Sequence, residues 1–347
     1  MSASTVDRYA VRYAIGITLA AAIAYGVAWE MSWVATLLAA AFLGNRGPRP
    51  NLKQSIVILA AMAVIFTVVM GMVLVFYRYP VVLSVLVAAA MYLVFYVAAR
   101  GAPQLIVFLC VLAIVVFPLL AGTSTALVPL IAGSMLISTL VALLCAQIAH
   151  TLVPSAPLIA VSPEAQGIES AHAMRSAWLS SAVILPIALT SLWMNASSAI
   201  LPLIQVAILS MRPDFSTSAA GGKALVAANL GGGIVALLFY QLLLIAPIYP
   251  FVLAGLFAIA LMFARGLFSS RTIAPLFGTA MNTVLILIGS GTGEWGVEAD
   301  AKFYERLLLI SFAACYVVGM FSLLQMPGIR ERWMRVGGWL SVKLAPS

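Results

Sequence analysis

YPVVLSVLVAAA, residues 79–90, returns as YPFVLAGLFAIA at residues 249–260, with seven of twelve positions identical at an offset of 170. Other positions keep step with this pair. Lys53 and Lys223 share the same offset; upstream the register is 163, where Arg12 answers Arg175 and Arg49-Pro50 answers Arg212-Pro213. One loop absorbs the difference, running from Pro50 to Lys53 in the first copy and from Pro213 to Lys223 in the second. A chain rich in Val, Leu and Ala matches itself by chance at scattered positions, but not at Tyr-Pro and three basic residues in order. The pattern predicts a tandem duplication and two similar bundles about a pseudo-two-fold axis. In membrane proteins such an interface is where substrate paths are built.

The chain has 347 residues, of which 64% are hydrophobic and only 8% charged. A soluble domain carries roughly 25% charged residues. Long apolar stretches recur from Arg8 to Met326, so the sequence predicts an all-α polytopic membrane protein. Barrel strands would alternate polar and apolar residues, and these stretches do not. Arg8 and Arg12 precede the first stretch without a small-residue cleavage site after it, so the first span is expected to be retained. Cys110, Cys145 and Cys315 are far apart and inside apolar segments, which predicts neither a disulfide framework nor a metal site.

The apolar segments divide into about twelve transmembrane helices, as two parallel six-helix repeats. The first repeat, 1–151, holds spans at 11–29, 31–44, 54–76, 80–99, 103–121 and 126–151. A cytoplasmic linker, 152–173, leads to the second repeat, 174–326, with spans at 174–194, 197–211, 224–246, 250–268, 273–289 and 303–324. A basic tail, 327–347, carries Trp333 and Trp339 and suits the membrane interface. The second and eighth spans are short for a hydrocarbon core of about 30 Å, and they hold equivalent places in the two repeats. With both termini inside, fifteen of the eighteen Lys and Arg residues fall on the inner side, and only Arg78, Lys302 and Arg306 lie outside. That asymmetry predicts N-in and C-in.

Enzymatic chemistry has little to work with. Gly222-Lys223 looks like the end of a P-loop, but Ala224 follows where a metal-holding Ser or Thr belongs. There is no H-E-x-x-H and no nucleophile elbow, and the only histidines are His150 and His172. No cofactor or metal is expected, and no nucleic-acid partner. Intramembrane carboxylates, the usual proton relays of transporters, are missing as well. Glu30, in a tight outer turn, and Asp214, just past an inner span end, are the candidates for proton coupling, with a wet boundary position the plainer reading of each.

The duplicated basic residues carry more information. Arg12, Arg49, Lys53, Arg175, Arg212 and Lys223 would gather near the cytoplasmic mouth of the repeat interface and recruit anions there. The positive-inside rule explains any one of them without a substrate. In the ninth span Asn229 precedes Gly231, Gly232 and Gly233, which either open the helix onto a path or allow close helix packing. Pro186 and Pro202 would kink the seventh and eighth spans.

A basic residue opens a helix rich in small residues (Arg12 to Trp29), a short second span ends in an Arg-Pro loop, and a basic residue leads into a third helix with glycine. This pattern resembles the fusaric acid resistance and aromatic acid exporter superfamily, in its short inner-membrane branch without a cytoplasmic domain. The family's third helix reads Arg-x-x-Gly-Thr-x-x-Gly; here Lys223 stands two positions early, Asn229 replaces Thr, and Gly231 to Gly233 lie near the final Gly. The resemblance implies efflux of aromatic or other small organic anions across a bacterial inner membrane. It also implies partnership with a periplasmic membrane-fusion adaptor, and leaves a homo-oligomer open. Plant aluminium-activated malate channels look similar in the six-helix unit. A passive anion channel and an accessory membrane subunit of an efflux assembly are therefore the rival readings.

Overall fold

A computed structural model describes residues 3–44, 51–154, 170–194, 196, 199–210, 219–291 and 297–324. Among them are twelve helices and no strand: α1 (Ala3–Val27), α2 (Val34–Leu43), α3 (Leu52–Phe76), α4 (Pro80–Ala99), α5 (Gln104–Thr123), α6 (Leu127–Leu152), α7 (Ser170–Trp193), α8 (Ile200–Ser210), α9 (Ala219–Ile245), α10 (Tyr249–Leu267), α11 (Ala274–Gly291) and α12 (Val297–Leu324). Nine of these described helices are long and apolar enough to cross a membrane. The protein is a multi-pass membrane protein. α2, α8 and α11 are the shorter apolar helices. At about 1.5 Å per residue α2 and α8 reach only about half of a 30 Å hydrocarbon core. The expected spans at 31–44 and 197–211 are therefore shorter as helices than as apolar stretches.

Local chemistry sets the helix ends. Pro80 is the first residue of α4 and Pro250 the second of α10, in the first turn, where a missing N–H costs nothing and the ring presets the backbone angle. The Tyr-Pro pair of both repeats is thus a helix start. Pro186 lies inside α7, which continues to Trp193. Pro202 does not sit mid-helix as the sequence reading expected; it falls in the first turn of α8, where proline is tolerated. α1 turns back into α2 through Ala28 and Met31, both at φ 54°, a left-handed conformation rare outside glycine.

The helices form two compact units. Unit 1 comprises 1–71, 124–161 and 227–311; unit 2 comprises 72–123, 162–226 and 312–347. In unit 1, α1, α2 and α6 pack on one another, α1 packs along α10, and α11 joins both α10 and α2. A stripe of Ala10, Ala14, Ile17, Ala21 and Ala24 is fully buried on α1. Lipid removes the hydrophobic drive between helices, so small residues that let backbones approach must supply the association. Gly16 shows the tolerance: a Cβ there would overlap Leu43 of α2 and touch Ala149 of α6 at 3.3 Å.

In unit 2, α4 packs along α7, and α5 joins α4, α7 and α8. Trp193 donates to Ser84 at 3.0 Å, and the Tyr92 and Trp178 rings meet at 5.3 Å, so α4 and α7 run antiparallel. Ser180 donates to the carbonyl of Ser210, tying α7 to the end of α8. Each unit thus takes its first and second helices from one half of the chain and its fourth and fifth from the other. The packing units and the sequence halves, 1–151 and 174–326, are different divisions of the chain.

Candidate functional site

The most unusual group in unit 1 is Arg12, a cation only 1% exposed on α1. Its Nη1 lies 3.2 Å from Nδ1 of His150, which is 8% exposed in the last turn of α6. The guanidinium lies over the Tyr9 ring, 4.5 Å from its centroid. That is close enough for a cation–π attraction, which strengthens as water is excluded. Phe268, at the end of α10, closes the arrangement: its ring stands 5.4 Å from Tyr9 and 6.0 Å, edge-on, from Tyr13. One cation is therefore held by an imidazole and a phenol ring, with two further rings behind.

The donor and acceptor roles follow from charge. A guanidinium only donates, so the contact requires a lone pair on His150 Nδ1 and a proton on Nε2. One turn earlier on α6, Gln147 donates to Ser55 of α3 at 3.2 Å. At the same end, Arg265 of α10 meets Asp7 of α1 at 3.1 Å, but both side chains are more than half exposed. Such a pair contributes about 0–1 kcal/mol.

A second polar pair lies where α9 meets α11. Thr283 donates to Asn229 Oδ1 at 2.8 Å, and Asn229 is 2% exposed. Three residues on, a Cβ at Gly232 would overlap the carbonyl of Ala280, while one at Gly233 would meet Leu307 and one at Gly231 nothing. α9 runs unbroken through all three glycines. Of the two readings of this triplet, close packing describes Gly232, and no opened backbone is found there.

Lys53 and Lys223 are exposed, and Arg175 lies on α7. Arg49, Arg212 and Asp214 lie outside the described residues. Glu30 is exposed in the turn between α1 and α2. Arg12 was expected among charges near the cytoplasmic mouth of a path; it is buried against aromatic rings where α1, α6 and the end of α10 converge. His150 was passed over in the sequence because a lone histidine in an apolar helix carries no spacing signal. It stands 138 residues from the arginine it contacts.

A family model described as a protein of unknown function (DUF2955) matches residues 9–149. The match takes in α1 to α6 but for their outer ends, and is under half of the chain. No curated protein and no solved structure matches the chain. The match is to an uncharacterised family.

Proposed function

We propose that this protein is an inner-membrane efflux transporter for small organic anions, aromatic carboxylates foremost, built as a tandem repeat with both termini inside. The observation that carries the reading is the burial of Arg12. An ionisable side chain inside a membrane bundle is costly and marks a substrate or ion path by default. A guanidinium suits a carboxylate, and the rings of Tyr9, Tyr13 and Phe268 suit an aromatic body beside it. The repeat is supported by the matched pairing of α1 with α10 and of α7 with α4. The fusaric acid and aromatic acid exporter likeness, the efflux direction and a periplasmic adaptor remain part of this proposal.

The test is flux of benzoate from proteoliposomes containing the full chain. Arg12→Gln is expected to reduce flux at least tenfold, and Arg12→Lys to restore part of it, since a charge without a planar fork binds a carboxylate less well. Equal flux in Arg12→Gln and the unaltered protein would remove Arg12 from the path. Benzoate flux that is absent from the unaltered protein would reject the substrate class.

A further inference from the structure

We propose that unit 2 carries a surface site for an anionic phospholipid where α4 meets α7, with Arg100 on the lipid phosphate. The site does not depend on what the protein transports. It begins with a helix end. α4 stops at Gly101, whose φ of 94° lies in the left-handed region and whose N–H bonds to the Ala98 carbonyl. Arg100 is the capping residue; its own N–H bonds to Tyr96 and Val97, so its exposed side chain starts from a fixed point. The 20 residues of α4 span about 30 Å, the thickness of the hydrocarbon core. Arg100 therefore stands at headgroup level.

Aromatic rings lead from this cation into the membrane. The guanidinium lies 6.0 Å from the Tyr96 ring centroid and donates to the Tyr96 hydroxyl at 3.4 Å. Tyr96 stacks on Tyr92 one turn deeper, at 6.4 Å, and Tyr92 meets Trp178 of α7 at 5.3 Å. Trp178 is 43% exposed. Tyr and Trp gather at membrane boundaries because they are apolar along the ring and polar at one end. Here they join two helices into one wall. On the same helix Val85, Leu93 and Val97 are exposed, a stripe along which an acyl chain can lie.

Charge selects the lipid. α4, α5, α7 and α8, the helices packed together in this unit, contain no Asp or Glu. Arg175 lies on α7 one turn before Trp178, which adds a second basic residue at this end of the α4 and α7 pair. The Tyr96 contact is longer than an ordinary hydrogen bond. A phosphate, which a guanidinium holds through two parallel N–H groups, displaces little in taking its place. A zwitterionic lipid offers the same phosphate but brings its ammonium group toward the arginines; an anionic lipid does not. Arg78, beyond the other end of α4, is held more closely, its Nε donating to the Tyr77 hydroxyl at 2.9 Å.

The experiment reads Trp178 directly. The full chain is reconstituted in phosphatidylcholine vesicles holding one minor fraction of either phosphatidylglycerol or phosphatidylcholine brominated on its acyl chains. Fluorescence quenching is compared between the unaltered protein and Trp178→Phe, so that the difference isolates Trp178. Phosphatidylglycerol is expected to occupy the site about fivefold more than phosphatidylcholine, the order of one basic residue at a charged surface. Arg100→Gln is expected to bring the ratio near one, Arg100→Lys to keep part of it, and Arg78→Gln to leave it unchanged. Equal quenching by the two lipids overturns the site. A ratio that Arg100→Gln does not lower overturns the role of Arg100. Quenching by neither lipid means that another chain covers the face, which also overturns the proposal. The comparison of the two lipids leaves Arg100 intact, so it decides the matter even where an Arg100 variant folds poorly.

Discussion

Within one triplet of glycines the consequences of adding a methyl group differ sharply. At Gly232 the added Cβ runs into the Ala280 backbone, which cannot move aside as a side chain does; at Gly231 it meets nothing. Overpacking a core typically costs about 1–3 kcal/mol, whereas Gly to Ala at an open helical position gains about 0.5–1 kcal/mol. Gly232→Ala is therefore expected to lower the thermal midpoint of the purified protein in detergent, and Gly231→Ala to hold or raise it. Equal shifts would mean that α9 and α11 are not in backbone contact. The sequence exposed both glycines and Asn229 as unusual, but not which of them touches a neighbour. That depends on the rotation of α9 against a helix some fifty residues away, and helical spacing alone leaves it open.

At the level of the element, α3 is a single apolar helix with Lys53 near one end and Arg78 just beyond the other. Its 25 residues span about 37 Å at 1.5 Å each, enough to cross. If the charge asymmetry sets the orientation, Lys53→Cys and Arg78→Cys should react from opposite sides of right-side-out membranes with an impermeant thiol reagent. Arg78→Cys should label from outside and Lys53→Cys only after permeabilisation, in a background with Cys110, Cys145 and Cys315 changed to Ala. Labelling of both from one side would overturn the span count and the orientation together. Elements such as this one were legible because a long, predominantly apolar run has no other stable form in lipid. The two short helices α2 and α8 were flagged by length, as half-helices or helices packed deep in the bundle. Val34 to Ala40 and Leu203 to Ser210 are buried residue after residue, all round the helix rather than along one stripe.

At the scale of the whole molecule, the packing of α1 on α10 joins distant parts of the chain into one unit. Asp7 and Arg265 meet across this pair and both are exposed to reagent. Asp7→Cys with Arg265→Cys is expected to be bridged by a short bifunctional thiol reagent. The bridge should hold the two chain halves together on a gel after cleavage at a protease site inserted within residues 155–169. Separation of the fragments would show that each half packs on itself. What the sequence determined by itself was the medium, the helical class and the repeating order of basic and Tyr-Pro positions. Those rest on composition and on the rule that a backbone in lipid must satisfy its own hydrogen bonds. Only the tertiary structure decided which helix lies against which, and so that Arg12 is buried beside His150 while Lys53 and Lys223 stay exposed. Side-chain burial in lipid follows from close approach between particular small-residue surfaces, and a sequence does not state which surfaces have met.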